Sequence, residues 1–266
     1  MLSLTIIGAG RLGKSIGWLL ANTGLVKVVN VFNRSMKSGE GAVYFIGQGK
    51  AVVNYLEHEE TDLYMLAVTD DDLASVAEDL ASEVNLKGKI VFHCSGAMSA
   101  KVLGEGDFSV ASIHPVKNFA EPKDVIETFD GTWCGIEGDT EALSILQPLF
   151  EHIGGTCFKV ASDQKVIYHA GAVFSSNFIP FIMESAFQCY QHAGIDADTA
   201  RKMVELTARL TLDNVFKFGP KVATTGPVSR GDFAAVERQY EALKTEMPEL
   251  ASAYGQLSSD VERLLK

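Results

Sequence analysis

The chain has 266 residues, of which 47% are hydrophobic, so it is long enough to form one large domain or two ordinary ones. Its 23 Lys and Arg residues against 34 Asp and Glu residues give a formal net charge of -11. Because the basic residues form no cluster, this charge disfavours binding to a nucleic-acid backbone. The amino terminus has no cationic segment before a long apolar one, and no run approaches the ~20 apolar residues of a membrane span. We therefore expect a cytoplasmic globular enzyme.

The four cysteines are scattered along the chain as Cys94, Cys134, Cys157 and Cys189. They form no C-x-x-C pair, so their spacing indicates neither a zinc cluster nor a redox dithiol. We expect four buried, reduced thiols and no metal site.

Up to about residue 160, short apolar runs alternate with helical stretches, the pattern of a βαβ sheet. Most runs are apolar on consecutive residues, which is typical of a parallel sheet covered on both faces. The predicted strands are 2–7, 26–32, 62–68, 88–93, 108–114, 132–136 and 156–160. Two helices between them are predicted over 70–84 and 139–153, the second with a kink at Pro148.

After residue 160 the sequence predicts helices over 162–193, 196–218, 230–244 and 247–265, with Gly194 and Gly219 as stops and Asp196 as a cap. The fold class is therefore α/β: a dinucleotide-binding Rossmann domain over 1–160, then an all-helical domain over 161–266 for substrate binding and dimerisation. The first helix is longer and more apolar than a lone surface helix should be. Burial against a second copy would explain it, so we expect a homodimer through the helical domain.

A glycine-rich turn follows the first strand. In "LTIIGAGRLGKSIGWLL", Gly8, Gly10 and Gly13 have the G-x-G-x-x-G spacing between a strand and a helix. The diphosphate of a dinucleotide would lie at the helix amino end, against the loop of Gly8, Gly10, Arg11, Leu12 and Gly13. The alternative is a plain βα turn, since such glycines are common.

The end of the second strand bears on cofactor choice. "VFNRS" places Asn33, Arg34 and Ser35 where NAD-binding proteins use an acidic residue on the adenine ribose. A guanidinium can form bidentate bonds to a 2'-phosphate and a serine can donate its hydroxyl, so the stretch predicts NADP. The alternative is a solvated arginine in a turn.

Two further strand ends should face the cofactor. Val68 and Thr69 would pass the nicotinamide-side ribose, and Ser95, followed by Gly96, lies at the carboxyl edge of the sheet. For the Ser95 segment, an ordinary turn is an equally good interpretation.

Reduction of a carbonyl needs a proton donor beside the developing alkoxide. "SIHPVKNF" places His114 at a strand's carboxyl end with Lys117 just after it. A lone histidine is usually structural, but one beside the expected nicotinamide is well placed for catalysis.

A second group of candidates lies on the long apolar helix. At 100° per residue, His169 and Ser176 are ~20° apart on a helical wheel, with Asn177 close by, so they could line one polar notch. Pro180 would kink the helix and release the carbonyl of Ser176. The alternative is a buried polar patch joining helices across a contact.

The third candidate is Arg230. Ser229 and Asp232 fit a capping box that starts a helix, which leaves Arg230 unexplained. An arginine there could clamp a substrate carboxylate, with a surface ion pair as the common alternative.

The segments "GAGRLG", "VFNRS", "HCSGAMS", "HPVKNFAEP", "YHAGAVFSSNFIP" and "TTGPVSRGD" together cover almost the whole chain. Their combination resembles bacterial Rossmann-like NADP oxidoreductases whose carboxyl-terminal helical domain has no assigned function. That family is similar to prephenate dehydrogenases, pyrroline-5-carboxylate reductases, 3-hydroxyacid dehydrogenases and ketopantoate reductases. Some members are linked to ketopantoate reduction, which makes ketopantoate the first substrate candidate.

The resemblance also implies site residues. Prephenate dehydrogenases have a similar His-Pro after a strand and a Ser-His where this chain has Ser176-Asn177, so His114 and Asn177 look like site positions. In hydroxyacid dehydrogenases a catalytic lysine precedes the site asparagine by four residues, where this chain has Val173. His114, His169 or Lys117 would then provide the proton.

The leading hypothesis is an NADPH-dependent reductase of a small oxo acid, with Asn177 and Arg230 orienting the substrate. The missing lysine motivates a second hypothesis, an NADP-binding sensor or structural protein without turnover. A third is a prephenate-type dehydrogenase.

Overall fold

Eight strands form one sheet in the computed structural model of the chain, which describes all residues from 1 to 266. The sheet has the order β3-β2-β1-β4-β5-β6-β7-β8, and every neighbouring pair is parallel except β6 and β7. The strands are β1 Leu2–Ile7, β2 Val26–Phe32, β3 Lys50–Val52, β4 Leu63–Leu66, β5 Ile90–His93, β6 Ser109–Pro115, β7 Thr132–Gly138 and β8 Gly155–Lys159.

All seven predicted strands are present, and β1 and β2 have the predicted bounds. The edge strand β3 was not predicted, because three residues are too few to give an apolar pattern. The predicted parallel sheet is confirmed except at one place, where β7 runs antiparallel to β6. Consecutive apolar runs report burial on both faces, which a strand at this position has in either direction.

Helices cover both faces of this sheet. They are α1 Arg11–Ala21, α2 Met36–Ile46, α3 Asp70–Glu83, α4 Pro122–Glu127 and α5 Thr140–His152. Successive side chains of a strand point to opposite faces, so β4 sends Met65 into one apolar core and Tyr64 and Leu66 into another. The doubly covered α/β architecture predicted from the sequence is confirmed.

The chain continues into helices only: α6 Lys165–Ala172, a π-helical segment Val173–Asn177, α7 Ile179–His192, α8 Ala197–Phe218, α9 Pro220–Ala223, α10 Phe233–Glu246 and α11 Pro248–Leu265. Gly194 and Gly219 have positive φ and Asp196 caps α8, as predicted. One continuous helix over 162–193 is wrong, because the wider π turn separates α6 from α7. Pro180 lies in the first turn of α7, where a missing N–H is tolerated.

Two of the four thiols differ from expectation. Cys94 and Cys134 are buried, whereas Cys157 and Cys189 are half-buried, and all four are free. The helical stretch 162–192 also differs, because it is long and apolar enough to cross a membrane, with a mean hydropathy of 1.3 in its most apolar part. One such helix is weak evidence for a span. A cytoplasmic location stays a prediction.

A row of polar side chains crosses the middle of the sheet. His93 of β5 pairs in register with Ser112 of β6, which pairs with Glu137 of β7, and all three are buried. His93 accepts a hydrogen bond at Nδ1 from the Ser95 N–H (3.1 Å), while its Nε2 has no partner. Burial, aided by the charge of Lys165, lowers the pKa of His93 to about 3.

Lys165, the first residue of α6, reaches into this row. Its ammonium donates to the Ser95 carbonyl at 3.0 Å and to the Ser112 hydroxyl, and it lies 3.8 Å from Oε1 of Glu137. Only 2% of the Lys165 side chain is exposed, and burial lowers its pKa to about 8. These contacts tie α6 to the sheet.

The chain divides into compact units Met1–Ser176 and Asn177–Lys266. The boundary expected from composition, between 160 and 161, therefore lies before the structural one. The two boundaries differ mainly because of α6. Its sequence resembles that of the helical half, but Lys165 binds it to the turn after β5 and to β7.

The buried histidine makes the stability of the fold depend on pH. The imidazole of the unfolded chain binds a proton near pH 6.5, whereas His93 in the folded protein stays neutral until about pH 3. The contribution of His93 to the free energy of unfolding is therefore fully present above pH 6.5 and is lost as the pH is lowered. Between these two pKa values each such histidine costs ~1.4 kcal/mol of unfolding free energy per pH unit. We expect His93→Asn to reduce this slope, as measured by urea unfolding between pH 7 and pH 5.

The matched control is His152→Asn, at an exposed histidine on α5. It should leave the pH slope of the wild type unchanged. Equal slopes for the wild type and His93→Asn would show that His93 is not the source of the acid sensitivity.

Candidate functional site

A cleft of about 630 Å³ opens at the carboxyl ends of β1, β2 and β4. Seven of the residues predicted to bind a cofactor line it: Gly8, Gly10, Asn33, Arg34, Ser35, Val68 and Thr69. Arg11, Leu12 and Gly13 form the first turn of α1 just beside it, and Ser95 belongs to a separate cluster described below. The structure thus brings together residues from three strand ends, the arrangement expected of a dinucleotide site.

The three glycines differ in what their surroundings allow. Gly8 has φ +86°, and a Cβ there would lie 2.6 Å from Cγ1 of Val68. A Cβ on Gly13 would lie 2.8 Å from the Gly8 carbonyl oxygen, so this glycine permits close packing of α1 on β1. A Cβ on Gly10 would meet no atom within 4 Å. The loop is therefore tight at Gly8 and Gly13 and open at Gly10, where the diphosphate is expected.

Arg34 extends into solvent beside the cleft, with 92% of its side chain exposed. Its guanidinium lies 3.6 Å from Oδ2 of Asp72, which also accepts a hydrogen bond from the Thr69 hydroxyl at 2.8 Å. An exposed ion pair of this kind contributes little to stability. Arg34 is thus free to turn toward a ligand, but in competition with Asp72.

Asn33 and Ser35, on either side of Arg34, form hydrogen bonds within the protein. Asn33 accepts a hydrogen bond from the Ala9 N–H at 2.9 Å and donates to Ser38 at 2.7 Å, which joins the glycine loop to α2. Ser35 caps α2 by accepting from the Ser38 N–H at 3.3 Å. These bonds hold the backbone on which Arg34 sits.

An aromatic pair completes the cleft and was not predicted. Phe32 and Tyr55 stack with their ring centroids 4.6 Å apart, and both line the cavity. Burial raises the pKa of Tyr55 to about 12, so its ring stays uncharged at neutral pH. A flat aromatic wall next to Arg34 suits a planar base. Tyr55 begins a three-residue 3-10 helix between β3 and β4, which is too short to give a recognisable sequence pattern.

A second cluster, the histidine pair, consists of His114 and His169. Their ring centroids are 5.4 Å apart, and both rings lie on the turn after β5. A Cβ on Gly96 would lie 2.2 Å from Nδ1 of His169 and 2.8 Å from Nε2 of His114. Only glycine leaves room for both imidazoles here. The Ser95 hydroxyl accepts hydrogen bonds from the N–H groups of Ala97 and Met98, which forms a local turn, and its contact with a cofactor stays a prediction.

Tyr168 fixes the orientation of His114. Its hydroxyl lies 2.7 Å from Nδ1 of His114, and it packs against Gly135, the residue paired with His114 across β6 and β7. Burial raises the pKa of Tyr168 to about 12. Burial, followed by the charges of His169 and Lys165, lowers the pKa of His114 to about 4. His114 is therefore a neutral imidazole at pH 7.

Three residues of α6 carry these contacts. Lys165, Tyr168 and His169 stand at i, i+3 and i+4, so they share one face of the helix. His169 was predicted as a site residue, whereas Lys165 and Tyr168 were not. The spacing K-x-x-Y-H was a usable signal, because a polar face on an otherwise apolar helix indicates a specific buried contact.

The helical wheel used for His169, Ser176 and Asn177 assumes 100° per residue, and the π-helical segment Val173–Asn177 breaks that periodicity. The shared polar notch stays a prediction. His169 belongs to the first compact unit, whereas Asn177 begins the second. The hydroxyl of Ser176 donates to the Ala172 carbonyl at 3.1 Å.

Lys117 and Arg230 have positions that the sequence did not foresee. The Lys117 ammonium donates to the Thr128 carbonyl at the end of α4, at 2.6 Å, which is a helix-capping contact. Arg230 is exposed in a turn of the second unit. The capping box is wrong, because Asp232 itself caps α10 and Ser229 donates to Gly226. The substrate roles of Asn177 and Arg230 stay predictions.

Two models of known domains match the chain in succession. Residues 1–108 match a Rossmann-like domain, and residues 132–261 match the domain of unknown function DUF2520. A search of curated proteins gives no match.

Solved structures are similar over 98% of this chain and 98% of theirs. BF3122 of Bacteroides fragilis, whose description as an NADP oxidoreductase is itself provisional, has a TM-score of 0.82 at 21% identity. Protein TM1727 of Thermotoga maritima has 0.73 at 26%, and Plasmodium falciparum pyrroline carboxylate reductase, solved with NADP bound, has 0.62 at 14%. Residues 1–108 are therefore similar to Rossmann-like domains and residues 132–261 to DUF2520 domains, and the chain shares its fold with NAD(P)-dependent oxidoreductases.

Proposed function

We propose that this protein is an NADP-dependent oxidoreductase that acts on a small oxo acid, with ketopantoate as the first candidate. The observation that carries the proposal is the presence, in one compact unit, of a glycine-loop cleft and of two histidines on the turn after β5. In sheets of this kind ligands bind at the carboxyl ends of the strands. Both features lie there.

The residues of the cleft fit the cofactor. The open backbone at Gly10 and the amino end of α1 would hold the diphosphate, and Phe32 with Tyr55 would support the adenine. Arg34 would pair with the 2'-phosphate, at the expense of its contact with Asp72. When bound, the cofactor supplies or accepts a hydride.

The histidine pair would donate a proton to the substrate or accept one from it. The Tyr168 hydroxyl and Nδ1 of His114 share a hydrogen bond, and with the hydroxyl as its donor the ring N–H of the neutral imidazole would be at Nε2, which faces Gly96. This N–H can hydrogen-bond a substrate oxygen. A substrate carboxylate nearby would raise the pKa of His114 from about 4, because an opposite charge favours the imidazolium. An oxo acid would thereby help to protonate its own proton donor.

The family resemblance supports ketopantoate as the first substrate to test. Pyrroline carboxylate reductase, a structural neighbour, is named for a small carboxylate substrate. Both molecules combine a small carbon skeleton with one carboxylate, which suits a site built around two imidazoles.

The cofactor assignment predicts a selective loss. Arg34→Ala should weaken NADPH binding ~10-fold or more and leave NADH little changed, because a charge-assisted bond to the 2'-phosphate contributes ~1.5–3 kcal/mol. Dissociation constants for both nucleotides, measured by the fluorescence of the reduced nicotinamide, test this.

Asp72→Asn is the matched variant of opposite sign. It removes the carboxylate that competes for Arg34, so NADPH should bind more tightly than to the wild type. Equal losses of NADPH and NADH in Arg34→Ala would rule out a 2'-phosphate contact.

The reaction itself is tested by NADPH oxidation, followed at the reduced-nicotinamide absorbance, with ketopantoate as the substrate. We expect turnover with a preference for NADPH over NADH, and a fall of ~100-fold or more in His114→Ala, the usual range for loss of an acid–base group. NADPH binding without turnover on ketopantoate or other oxo acids would favour a nucleotide sensor.

We also propose that the protein is a homodimer through its helical unit. In residues 177–266 only Ala200, Met247, Leu250 and Ala251 are buried, which is too little for a stable core. Helices α7 and α8 border an apolar groove of about 290 Å³ and leave Phe181, Leu206 and Phe216 exposed. A second copy offers the same faces, so a two-fold interface would cover both at once.

Light scattering at micromolar concentration should give twice the chain mass of 28.7 kDa. Ile182→Asp, which places a charge in the groove, should shift the mass toward the monomer, whereas Leu56→Asp, at an exposed leucine of the first unit, should not. A monomeric wild type that binds lipid vesicles would contradict the dimer and assign the apolar faces to a membrane.

A further inference from the structure

We propose that Lys165 is the positioning residue of the histidine pair: its buried ammonium locks α6 to the turn after β5 and so sets where His114 and His169 meet. The inference rests on the proposed function only in treating the histidines as the reacting groups. Neither the glycine loop nor Arg34 enters it.

The Lys165 ammonium contacts the turn against which both histidines pack. Lys165 donates to the carbonyl of Ser95 at 3.0 Å and to the hydroxyl of Ser112, which itself donates to the same carbonyl at 3.2 Å. The next residue along the turn is Gly96, on which both imidazoles lie. One helical turn after Lys165, Tyr168 and His169 complete the contact from the helix side.

Glu137 makes this buried cation possible. Its Oε1 lies 3.8 Å from the ammonium and accepts the Ala100 N–H at 2.5 Å, and its Oε2 accepts the hydroxyl of Ser162 at 2.6 Å. Ser162 stands in the turn that leads into α6. A buried ion pair is tolerated when its remaining groups are hydrogen-bonded, and here both partners are.

Stability alone does not explain such a pair, because apolar residues of similar volume often replace buried ion pairs without loss. The pair has a second effect, since the cation repels a proton on the nearby imidazoles. The titratable groups around His114 are Lys165, Tyr168 and His169 from α6 and His93 from β5. Burial is the main cause of the low pKa of His114, and the ammonium of Lys165 adds to it by repelling a proton on the imidazole.

The experiment follows the titration of His114 by NMR of its imidazole, in the full chain without nucleotide. Lys165→Met alone would leave the carboxylate of Glu137 buried without its cation, so the variant to use is Lys165→Met/Glu137→Gln, which removes both charges. We expect the pKa of His114 to rise by ~0.5 unit or more, because Lys165, and not Glu137, is among the charges that act on this imidazole. An unchanged pKa in the folded double variant would overturn the proposal.

Two further variants sharpen the result. Lys159→Met/Glu151→Gln removes the same two charge types from exposed positions, and should leave the titration of His114 as in the wild type. Lys165→Arg keeps the positive charge, so it too should stay close to the wild type. A rise in Lys165→Arg equal to that in the double variant would contradict an effect of charge.

Turnover provides an independent measurement. If the protein reduces an oxo acid, the double variant should lower kcat and move the acid limb of the pH profile upward, following His114. A profile that keeps its limb while kcat falls would make Lys165 merely structural. A wild type without turnover defeats the proposed function, whereas the NMR titration still decides the role of Lys165.

Discussion

The contact between the Lys165 ammonium, the Ser95 carbonyl and Glu137 is the interaction on which the candidate site depends. A buried cation must be hydrogen-bonded and paired, and this requirement brings α6, the turn after β5 and the two strands β6 and β7 together. It explains why α6 belongs to the first compact unit, although its sequence resembles the helices that follow. It also explains why the histidines lie on the turn after β5 rather than on the open face of the sheet.

The same low-dielectric surroundings determine the chemistry that the histidines can perform. Burial keeps His93 and His114 neutral, and the nearby cation acts in the same direction. At neutral pH the His114 imidazole can therefore form hydrogen bonds without carrying a charge. By contrast, the nucleotide cleft is open and its one cation, Arg34, is shared with Asp72. Affinity for a cofactor would therefore rest mainly on backbone groups and on the aromatic wall.

The helical unit, unlike the sheet, has very few buried side chains. The sheet is covered on both faces, whereas α7 buries none of its side chains and α8 buries Ala200 alone. Apolar helices without a core need a partner surface, and a second copy of the chain is the simplest source of one. The stretch 162–192 is long and apolar enough to cross a membrane, which by itself is weak evidence for a span.

Local patterns in the sequence were sufficient for much of the fold. The strands 2–7 and 26–32, the glycine turn, the Asp196 cap and the stops at Gly194 and Gly219 follow from apolar runs and from the backbone preferences of single residues. These features depend on residues within a few positions of one another. They led directly to the Rossmann-like domain and to the cleft.

Long-range pairing was decided only by the tertiary structure. Three features depend on residues that are distant in sequence: the direction of β7, the partner of Arg34 and the burial of Lys165. The π turn after α6 also changed the helical phase on which the Ser176 prediction relied. The sequence by itself determined which residues could serve a nucleotide and a proton transfer. Which of them meet was decided by the packing of α6 on the sheet, because burying one ammonium group requires a specific set of oxygen atoms around it.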